Sequence, residues 1–588
     1  MKNKKVNIFD NRLFSKLMFY VKPYKNTYYF VMSAAILVSA FSVLTPYLLK
    51  IIVDDFIRLK DYDGMVLIII LMLITLIGEV MFQFFFVFFA NLLGQNVIKD
   101  LRLVLYKKII GFRMSYFDQS SVGRLVTRAV NDIETIASIF SQGLFMIVAD
   151  LLKMGVIIII MLLINWKLSL IVFSILPLII YATRLFQKSM KTAFEEVRLQ
   201  VANLNSFVQE RLSGMQIVQL FHREETEFKK FTQINEKHKK AWLKTVWYNS
   251  IFFPVAEIAS SITLGLLVWF GGLNVAAGGI ISLGTIFLFI QMSQMLFRPL
   301  RQIADKFNTL QMGMVSAERI FKIIETNSAI NDLGSKKPEN IMGKISIKNL
   351  KFSYHQGEEV IRDLNLLIQP GEKIAIVGST GAGKSTLINL LSRFYEYDSG
   401  EIYLDDIKIR DFSLKSLRGH IGIVLQDVFL FADSIFKNIT LNNPDISVRQ
   451  VKSIAKKIGV HEFIESLPGG YNYNVKERGV MLSSGQRQLI AFLRVYISNP
   501  SVMILDEATS SIDSHSEELI KTATARITKN KTSIIIAHRL STIKNVDRII
   551  VMDQGRIVEI GSHEELLEIK EGYYSRLYKI QFSELSLA

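Results

Sequence analysis

Residues 378–385 read Gly378-Ser379-Thr380-Gly381-Ala382-Gly383-Lys384-Ser385, and this stretch decides the fold of the second half of the chain. It follows a short apolar run that is typical of a buried strand, and it precedes leucines at helical spacing. In such a unit the glycines allow backbone N–H groups to surround phosphate, and the helix N-terminus adds partial positive charge. Lys384 would reach the terminal phosphates, and the Ser385 hydroxyl would bind Mg²⁺. The stretch therefore predicts an α/β domain that binds a nucleotide.

Two further strands lead acidic and imidazole groups to the same edge of the predicted sheet. The apolar run Val502 to Leu505 ends in Asp506-Glu507. Beside a phosphate loop, Asp506 is suited to hold Mg²⁺, and Glu507 is suited to act as the base that polarises a water molecule. The strand Ser533 to Ala537 leads to His538, which would bond to the γ-phosphate. For an isolated acidic pair or a single histidine a structural role would be the better interpretation, but the neighbouring phosphate loop favours the catalytic one.

The composition indicates a membrane protein. Of the 588 residues, 50% are hydrophobic and 40 are Phe, and the mean hydropathy is +0.30. These values are too apolar for an ordinary soluble enzyme. The chain contains no cysteine, which excludes disulfides, thiol catalysis and Cys-based metal sites. The net charge of +16 would suit nucleic acid, so the position of the basic residues has to decide its meaning.

Six apolar segments approach the roughly 20 residues that a helix needs to cross a bilayer. The predicted spans are about 28–49, 65–90, 144–164, 168–186, 250–270 and 275–297. The two longest loops between them are rich in Lys and Arg, whereas the alternate loops hold few, among them Arg58, Lys60 and Lys167. Basic residues favour the cytoplasm, so these long loops, the N-terminus and the C-terminal domain are predicted to be cytoplasmic in a multi-pass protein of the cell membrane. Topology then explains the positive charge, and no nucleic-acid partner is expected.

Two domains are predicted. Residues 1–326 form an all-α membrane domain whose helices extend into the cytoplasm, because the long loops lack proline and keep helical apolar spacing. Residues 327–343 contain Gly334 and Pro338 and are typical of a linker. Residues 344–588 alternate short strands with helices, the pattern of a parallel sheet covered by helices.

The motifs of the second domain resemble those of the nucleotide-binding domain of ATP-binding cassette (ABC) transporters. They occur in the family's order: the phosphate loop, Gln426, Leu482-Ser483-Ser484-Gly485-Gln486, Asp506-Glu507, Asp513 and His538. The segment 482–486 is the most specific element, since it is similar to the Leu-Ser-x-Gly-Gln signature. Six membrane spans ahead of one P-loop NTPase domain resemble a half-transporter of the bacterial exporter class, so the resemblance covers essentially the whole chain. It implies ATP-driven transport with ATP and Mg²⁺ as cofactors and a second half-transporter chain as partner.

The resemblance also implies roles for individual residues. Tyr354 is similar to the aromatic residue that stacks on adenine, and Gln426 to the loop residue that senses Mg²⁺ and the attacking water. The signature would offer its helix N-terminus to ATP held by the other chain. The implied nucleotide contacts are Tyr354, Gly378, Ser379, Thr380, Gly381, Ala382, Gly383, Lys384, Ser385, Thr386, Ser483, Gly485, Gln486 and Asp513. The implied metal ligands are Ser385, Gln426 and Asp506, and the implied catalytic residues are Glu507, His538 and Gln426. Glu477-Arg478-Gly479 resembles the loop that touches the cytoplasmic helix tips, which would include residues 116–124 and 206–221.

Two positions depart from the family pattern. Ser484 replaces the usual second glycine of the signature, and Lys476 replaces the glycine commonly found before Glu477. A side chain at the signature position crowds the approach of the backbone to phosphate. Complete hydrolytic residues combined with a weakened signature resemble one subunit of a heterodimeric exporter. We favour a heterodimer, and a homodimer that tolerates serine is the alternative.

Glu79, Asp150, Lys153 and Glu257 fall within the predicted spans, where charge is costly and usually functional. Asp150 and Lys153 are three residues apart on one helix face, which favours a mutual ion pair. Glu79 and Glu257 have no obvious local partner in the sequence, and Glu79 lies in a Phe-rich segment. These features favour export of amphipathic or hydrophobic drug-like compounds. A lipid flippase of the same architecture and, less favoured, a nucleotide-gated regulator without transport are the alternatives.

Overall fold

The computed structural model describes residues 11–330, 332–355, 357–507, 514–537 and 543–582. Contacts among these residues divide the chain into two compact units, residues 11–110 with 120–327 and residues 111–119 with 328–582. The domain limits given above stay predictions. The contacts group the short segment 111–119 with the second unit, although in the sequence it lies between two predicted membrane spans.

The first unit is built from long helices. Its described helices, with α4 belonging to the segment 111–119, are α1 (Asn11–Phe19), α2 (Lys25–Ile51), α3 (Tyr62–Ile110), α4 (Met114–Gln119), α5 (Val122–Thr127), α6 (Ile133–Ser138), α7 (Phe145–Ile164), α8 (Trp166–Ser213), α9 (Met215–Leu220), α10 (Glu224–Ala276) and α11 (Leu283–Glu325). Wider π-helical turns occupy Ile52–Ile57, Arg128–Asp132 and Ile139–Leu144.

Several of these helices are much longer than a bilayer requires. The 53 residues of α10 extend roughly 80 Å at about 1.5 Å per residue, against a hydrocarbon core of about 30 Å. Within the described part of the chain, five helical stretches are long and apolar enough to cross a membrane: Lys22–Ile57, Tyr62–Ile110, Val122–Ile164, Trp166–Ser213 and Glu224–Ala276. The predicted spans near 250–270 and 275–297 fall on α10 and α11, which residues 277–282 separate.

Local chemistry explains where two of the long helices begin. The Asn165 side chain accepts hydrogen bonds from the backbone N–H groups of Lys167 and Leu168 at 3.1 Å and caps α8. Ser282 caps α11 in the same way through Thr285. Helix α8 packs along α10, and α2 packs along α3. In the most apolar 18-residue segment of α3, only 6% of the residues are buried. This helix therefore presents apolar side chains outward, as a membrane helix does.

The charged residues of the membrane spans pair differently from the prediction. Asp150 accepts a hydrogen bond from Lys306 of α11, and each side chain keeps about a fifth of its exposure. Lys153, one turn further along α7, interacts electrostatically with Glu79 of α3 as well as with Asp150 and Arg298. The predicted pairing of Asp150 with Lys153 is therefore confirmed only as an electrostatic interaction, because a lysine of a neighbouring helix makes the direct contact with the carboxylate. Glu79 also has an oppositely charged neighbour that the sequence did not reveal.

The second unit is an α/β fold with two sheets. Its described strands are β1 (Ile345–Ser353), β2 (Glu359–Ile368), β3 (Lys373–Gly378), β4 (Ser399–Leu404), β5 (Ile407–Lys408), β6 (Ile421–Val424), β7 (Val502–Glu507), β8 (Thr532–Ala537), β9 (Arg548–Asp553) and β10 (Arg556–Gly561). Its described helices, besides α4, are α12 (Lys384–Leu391), α13 (Leu414–His420), α14 (Ile435–Thr440), α15 (Val448–Ile458), α16 (His461–Glu465), α17 (Ser484–Ile497), α18 (Ser514–Ile527), α19 (His563–Glu568) and α20 (Tyr573–Phe582).

The larger sheet positions the phosphate loop. Its order is β10-β9-β3-β8-β7-β6, with parallel pairing from β9 to β6, while β2-β1-β4-β5 form a separate antiparallel sheet. Ile374, Ala375 and Ile376 of β3 are completely buried, because a central parallel strand is covered on both faces. The chain leaves this strand at Gly378, where the loop begins.

Candidate nucleotide-binding site

The phosphate loop closes on its own lysine. Lys384 begins α12, and its Nζ donates hydrogen bonds to the carbonyl oxygens of Gly378 at 2.7 Å and Ser379 at 2.9 Å. The ammonium group is thus held against the turn that would surround a phosphate chain. Lys384 and Ser385 stand in the first turn of α12, where unpaired N–H groups and the helix dipole favour an anion. Thr386 follows them in the same turn and is buried.

Glycine is required at two positions of this loop. Gly378 has φ 155°, and an added Cβ would lie 2.1 Å from the carbonyl oxygen of Met552. Gly383 precedes α12 with φ 100°, a left-handed conformation that strains other residues, and a Cβ there would lie 2.9 Å from Ile361. The loop therefore keeps the close backbone approach that a phosphate cradle needs, and its residues fit a nucleotide.

Electrostatics support phosphate binding by Lys384. Its side chain is buried, and burial lowers its pKa below the ordinary lysine value. The carboxylate of Asp506 opposes this shift by favouring the charged form. A bound phosphate group would also favour the charged form of Lys384, because it would give the ammonium group an anionic partner.

The register of the sheet brings the predicted metal and catalytic positions to one edge. In the parallel pairing Ile376 of β3 lies opposite Ile536 of β8, and Ile536 lies opposite Asp506 of β7. Glu507 is the last residue of β7. Because β6 pairs with β7 up to Val424, Gln426 follows at the same carboxyl end of the parallel strands. Asp513 and His538, which the sequence also assigns to the site, lie outside the described residues.

The donor set suits Mg²⁺ held jointly with a nucleotide. Ser385, Gln426 and Asp506 offer a hydroxyl, an amide and a carboxylate oxygen, the ligands that this hard cation prefers. Among the described residues, no group of three or more His, Cys, Asp or Glu side chains is placed to hold a metal ion alone. This is consistent with the way Mg²⁺ binds in nucleotide sites, with few protein ligands and the rest from phosphates and water.

Tyr354 lies beside the loop in a group of three aromatic rings. It is 40% exposed, and its hydroxyl donates to the Oγ1 of Thr386 at 3.2 Å. Its ring meets Phe352 edge-on at 4.8 Å and Tyr395 edge-on at 5.1 Å between centroids. An exposed ring so fixed is suited to stack on a base. Tyr395 was not identified from the sequence. Its position shortly after the helix that follows the phosphate loop was the signal that could have identified it.

The signature segment forms the start of α17. Ser483 caps this helix: its hydroxyl accepts from the N–H of Gln486 at 3.2 Å, and the Gln486 side chain accepts from the N–H of Ser483 at 3.0 Å. Ser484 is exposed in the first turn, and Gly485 beside it is buried. The segment therefore presents the N-terminus of a 14-residue helix that is suited to an anion.

The loop before the signature carries backbone strain at a position where the sequence departs from the family pattern. Lys476 has φ 59° and ψ −174°, a region that is essentially reserved for glycine. Its N–H donates to the side chain of Asn474 at 2.9 Å, which helps to hold this conformation. Arg478, two residues on, also has a positive φ of 55°. This conformation explains why glycine is usual at position 476. Its replacement by lysine leaves the backbone strained there.

Comparison with known proteins connects these features. Residues 28–300 match the family model described as the ABC transporter transmembrane region, and residues 361–510 match the model described as ABC transporter. The uncharacterized ABC transporter ATP-binding protein YknV of Bacillus subtilis (strain 168) is 34% identical, over 97% of this chain and 94% of that protein. An ATP-dependent lipid A-core flippase of Syntrophus aciditrophicus (strain SB) is 33% identical, over 97% and 95%. The putative multidrug export ATP-binding/permease protein YgaD of Bacillus subtilis (strain 168) is 32% identical, over 96% and 99%.

Proposed function

The chain belongs to the ABC transporter family, and from this premise we propose that it exports amphipathic or hydrophobic, drug-like compounds across the cell membrane. It is an ATP-hydrolysing, multi-pass membrane protein with the architecture of a half-transporter, and such exporters function as dimers. The observation that carries the proposal is the buried Lys384 on its phosphate loop, with Asp506 at the same sheet edge, in a chain that also supplies its own membrane helices.

ATP hydrolysis would use the residues at the carboxyl edge of the larger sheet. Lys384 would bind the terminal phosphates and stabilise the charge that develops on them. Mg²⁺ would neutralise charge on the bound phosphates, with Ser385, Gln426 and Asp506 as its protein ligands. Glu507 would orient a water molecule and accept its proton. His538 would complete the contacts to the γ-phosphate.

The dimer would place each ATP between the loop of one chain and the signature of the other. ATP binding would draw the two domains together and turn the membrane cavity outward, and hydrolysis would reset it. We favour a heterodimer, because Ser484 weakens the signature of this chain while its own hydrolytic residues are complete. The strained Lys476 adds a second departure in the loop next to that signature.

The transported compound is proposed as a drug-like amphiphile, with a lipid as the second candidate. Two relatives support both candidates, since one is named as a putative multidrug exporter and the other as a lipid A-core flippase. An aromatic-rich stretch of α3 supports an amphiphile, because Phe84 and Phe88 stack at 5.9 Å and Phe30 of α2 meets Phe89 at 4.6 Å. Aromatic faces bind apolar and cationic compounds alike.

The first experiment separates transport from nucleotide binding alone. The chain is reconstituted in liposomes, with and without a half-transporter encoded beside it, and ATPase activity and uptake of ethidium into inside-out vesicles are measured. We expect Glu507→Gln to remove ATP turnover and uptake while ATP still binds, and the matched Glu462→Gln on α16 to leave both unchanged. Turnover that survives in Glu507→Gln would contradict the assigned base.

A second arm distinguishes the two substrate candidates. The same vesicles carry a fluorescent phospholipid, and its ATP-dependent movement between leaflets is compared with ethidium uptake. Uptake of ethidium without movement of the phospholipid supports the drug-like class. Movement of the phospholipid without uptake of ethidium would replace it with the flippase.

A further inference from the structure

The segment 111–119 is tied to the second unit at three points. Phe112 forms an antiparallel bridge with Ala329, and the N–H of Arg113 donates to the carbonyl oxygen of Ser328 at 2.8 Å. The third tie is a side-chain hydrogen bond, in which the hydroxyl of Tyr395 donates to the carboxylate of Asp118 on α4. Yet the chain joins this segment directly to α3 on one side and to α5 on the other. Whatever moves Asp118 therefore acts on the connection between two helices of the membrane domain.

The ring of Tyr395 contacts Tyr354, the candidate base-stacking residue. Its ring meets Tyr354 edge-on, with planes at 88°, and both rings contact Phe352. Phe352 is buried and holds the two tyrosine rings in place, whereas Tyr354 is 40% exposed. A base that stacks on Tyr354 would restrict this ring and, through the edge contact, the ring of Tyr395. The two ends of Tyr395 thus face two different parts of the protein.

The hydrogen bond to Asp118 keeps a defined direction. Burial, together with the Asp118 carboxylate, raises the pKa of Tyr395 far above its ordinary value. The phenol is therefore a proton donor at every physiological pH, and Asp118 is its acceptor. A donor whose hydroxyl has one acceptor and whose ring contacts Tyr354 and Phe352 is constrained at both ends.

We propose that Tyr395 is a positioning residue that reports occupation of the adenine site to the segment 111–119. The route runs from the base to Tyr354, from its ring to Tyr395, and from the Tyr395 hydroxyl to Asp118. This inference rests on the proposed role of Tyr354 in the nucleotide site. It makes the nucleoside, and not only the phosphate chain, a signal to the membrane helices.

The absence of cysteine allows a direct test. Gln119→Cys, at the exposed end of α4, provides the single thiol of the full-length chain for an environment-sensitive fluorophore. The labelled dimer is titrated with MgADP and, separately, with magnesium pyrophosphate, and saturation by pyrophosphate is established by competition with ADP. Neither probe carries a γ-phosphate, so the difference between them is the nucleoside. We expect a fluorescence change with ADP and less than a third of that change with saturating pyrophosphate.

Variants then test the route. Tyr395→Phe keeps the ring and removes the hydroxyl, so it should reduce the amplitude of the ADP response at least threefold with less than a twofold change in the ADP midpoint. Asp118→Asn should do the same from the other side, and the double variant should lose no more than either single one. Tyr397→Phe is the matched control, since its hydroxyl donates to Glu401 at 3.3 Å within the domain, and it should keep the full response.

Each outcome either supports the proposal or overturns it. An equal response to ADP and pyrophosphate, or a full response in both Tyr395→Phe and Asp118→Asn, would overturn it. If Tyr395→Phe does not fold, Asp118→Asn alone tests the route, because Asp118 is exposed and its replacement leaves the aromatic group intact. Glu507→Gln should abolish ATP hydrolysis and still respond to ADP, so failure of the proposed hydrolysis is distinguishable from failure of this route.

Discussion

Ser483 has two proposed tasks that a pair of matched variants separates. As a helix cap its hydroxyl accepts one hydrogen bond from the backbone of Gln486. A hydroxyl has two acceptor positions and one donor proton, so the proton of Ser483 stays available for a phosphate oxygen of ATP on the partner chain. Ser447 caps α15 through the same reciprocal pattern with Gln450, at 3.3 Å and 2.8 Å. It offers the cap without the proposed nucleotide contact.

The two tasks predict different magnitudes. Loss of a serine cap lowers the free energy of unfolding by about 1 kcal/mol, and we expect this for both Ser483→Ala and Ser447→Ala. A hydrogen bond to a charged group contributes about 1.5–3 kcal/mol, and about 1.4 kcal/mol changes a rate tenfold. Ser483→Ala should therefore also reduce ATPase kcat/KM by roughly ten- to a hundredfold. Ser447→Ala should reduce it less than twofold.

The assay combines thermal unfolding and ATPase rates on the same reconstituted dimers. Both rates are measured well below the unfolding temperature, so that a fraction of unfolded protein does not mimic a catalytic loss. Equal ATPase rates in the two variants, at equal loss of stability, would refute the assignment of Ser483 to the nucleotide. A loss in Ser483→Ala that is recovered by Ser483→Thr, which keeps the hydroxyl, would support it.

Three further changes test features away from the signature. Lys476→Gly should raise the free energy of unfolding by about 1 kcal/mol, because glycine adopts the observed backbone conformation without strain, and chemical denaturation measures it. Lys306→Met should lower the free energy of unfolding by about 3 kcal/mol, because it leaves the half-buried Asp150 carboxylate unpaired. The double variant Asp150→Asn/Lys306→Met should recover most of that loss. Unfolding of both variants in detergent measures the difference. Burial lowers the pKa of His563, so the folded chain binds fewer protons than the unfolded chain, and this residue makes stability fall as the pH drops below about 6.5. His563→Gln should therefore flatten the fall in melting temperature between about pH 7 and pH 5, and an unchanged slope would contradict this.

Patterns that are local in sequence predicted much of the fold. The phosphate loop lies between β3 and α12, as its glycines and flanking apolar residues predicted. The helical membrane domain followed from apolar length, which needs no tertiary information. The ring of Tyr395 and its contact with Asp118 join residues 277 positions apart, and no periodicity records such a pair. The strain at Lys476 is likewise a backbone property that only the dihedral angles reveal.

The charges inside the membrane spans show why spacing along one helix does not identify the partner of a charged side chain. Asp150 and Lys153 share a helix face, but an ion pair forms with whichever opposite charge reaches closest, and Lys306 of α11 does so from beyond the end of the predicted sixth span. Lys153 interacts with Glu79 as well, so the carboxylate of Glu79 is balanced by a neighbour and adds little to any attraction for cationic compounds. We therefore expect Glu79→Gln to reduce ATP-dependent uptake of ethidium less than twofold in vesicles that hold equal amounts of folded transporter. A loss of tenfold or more, with uptake of an uncharged dye unchanged, would show that this carboxylate attracts the cation despite its neighbour.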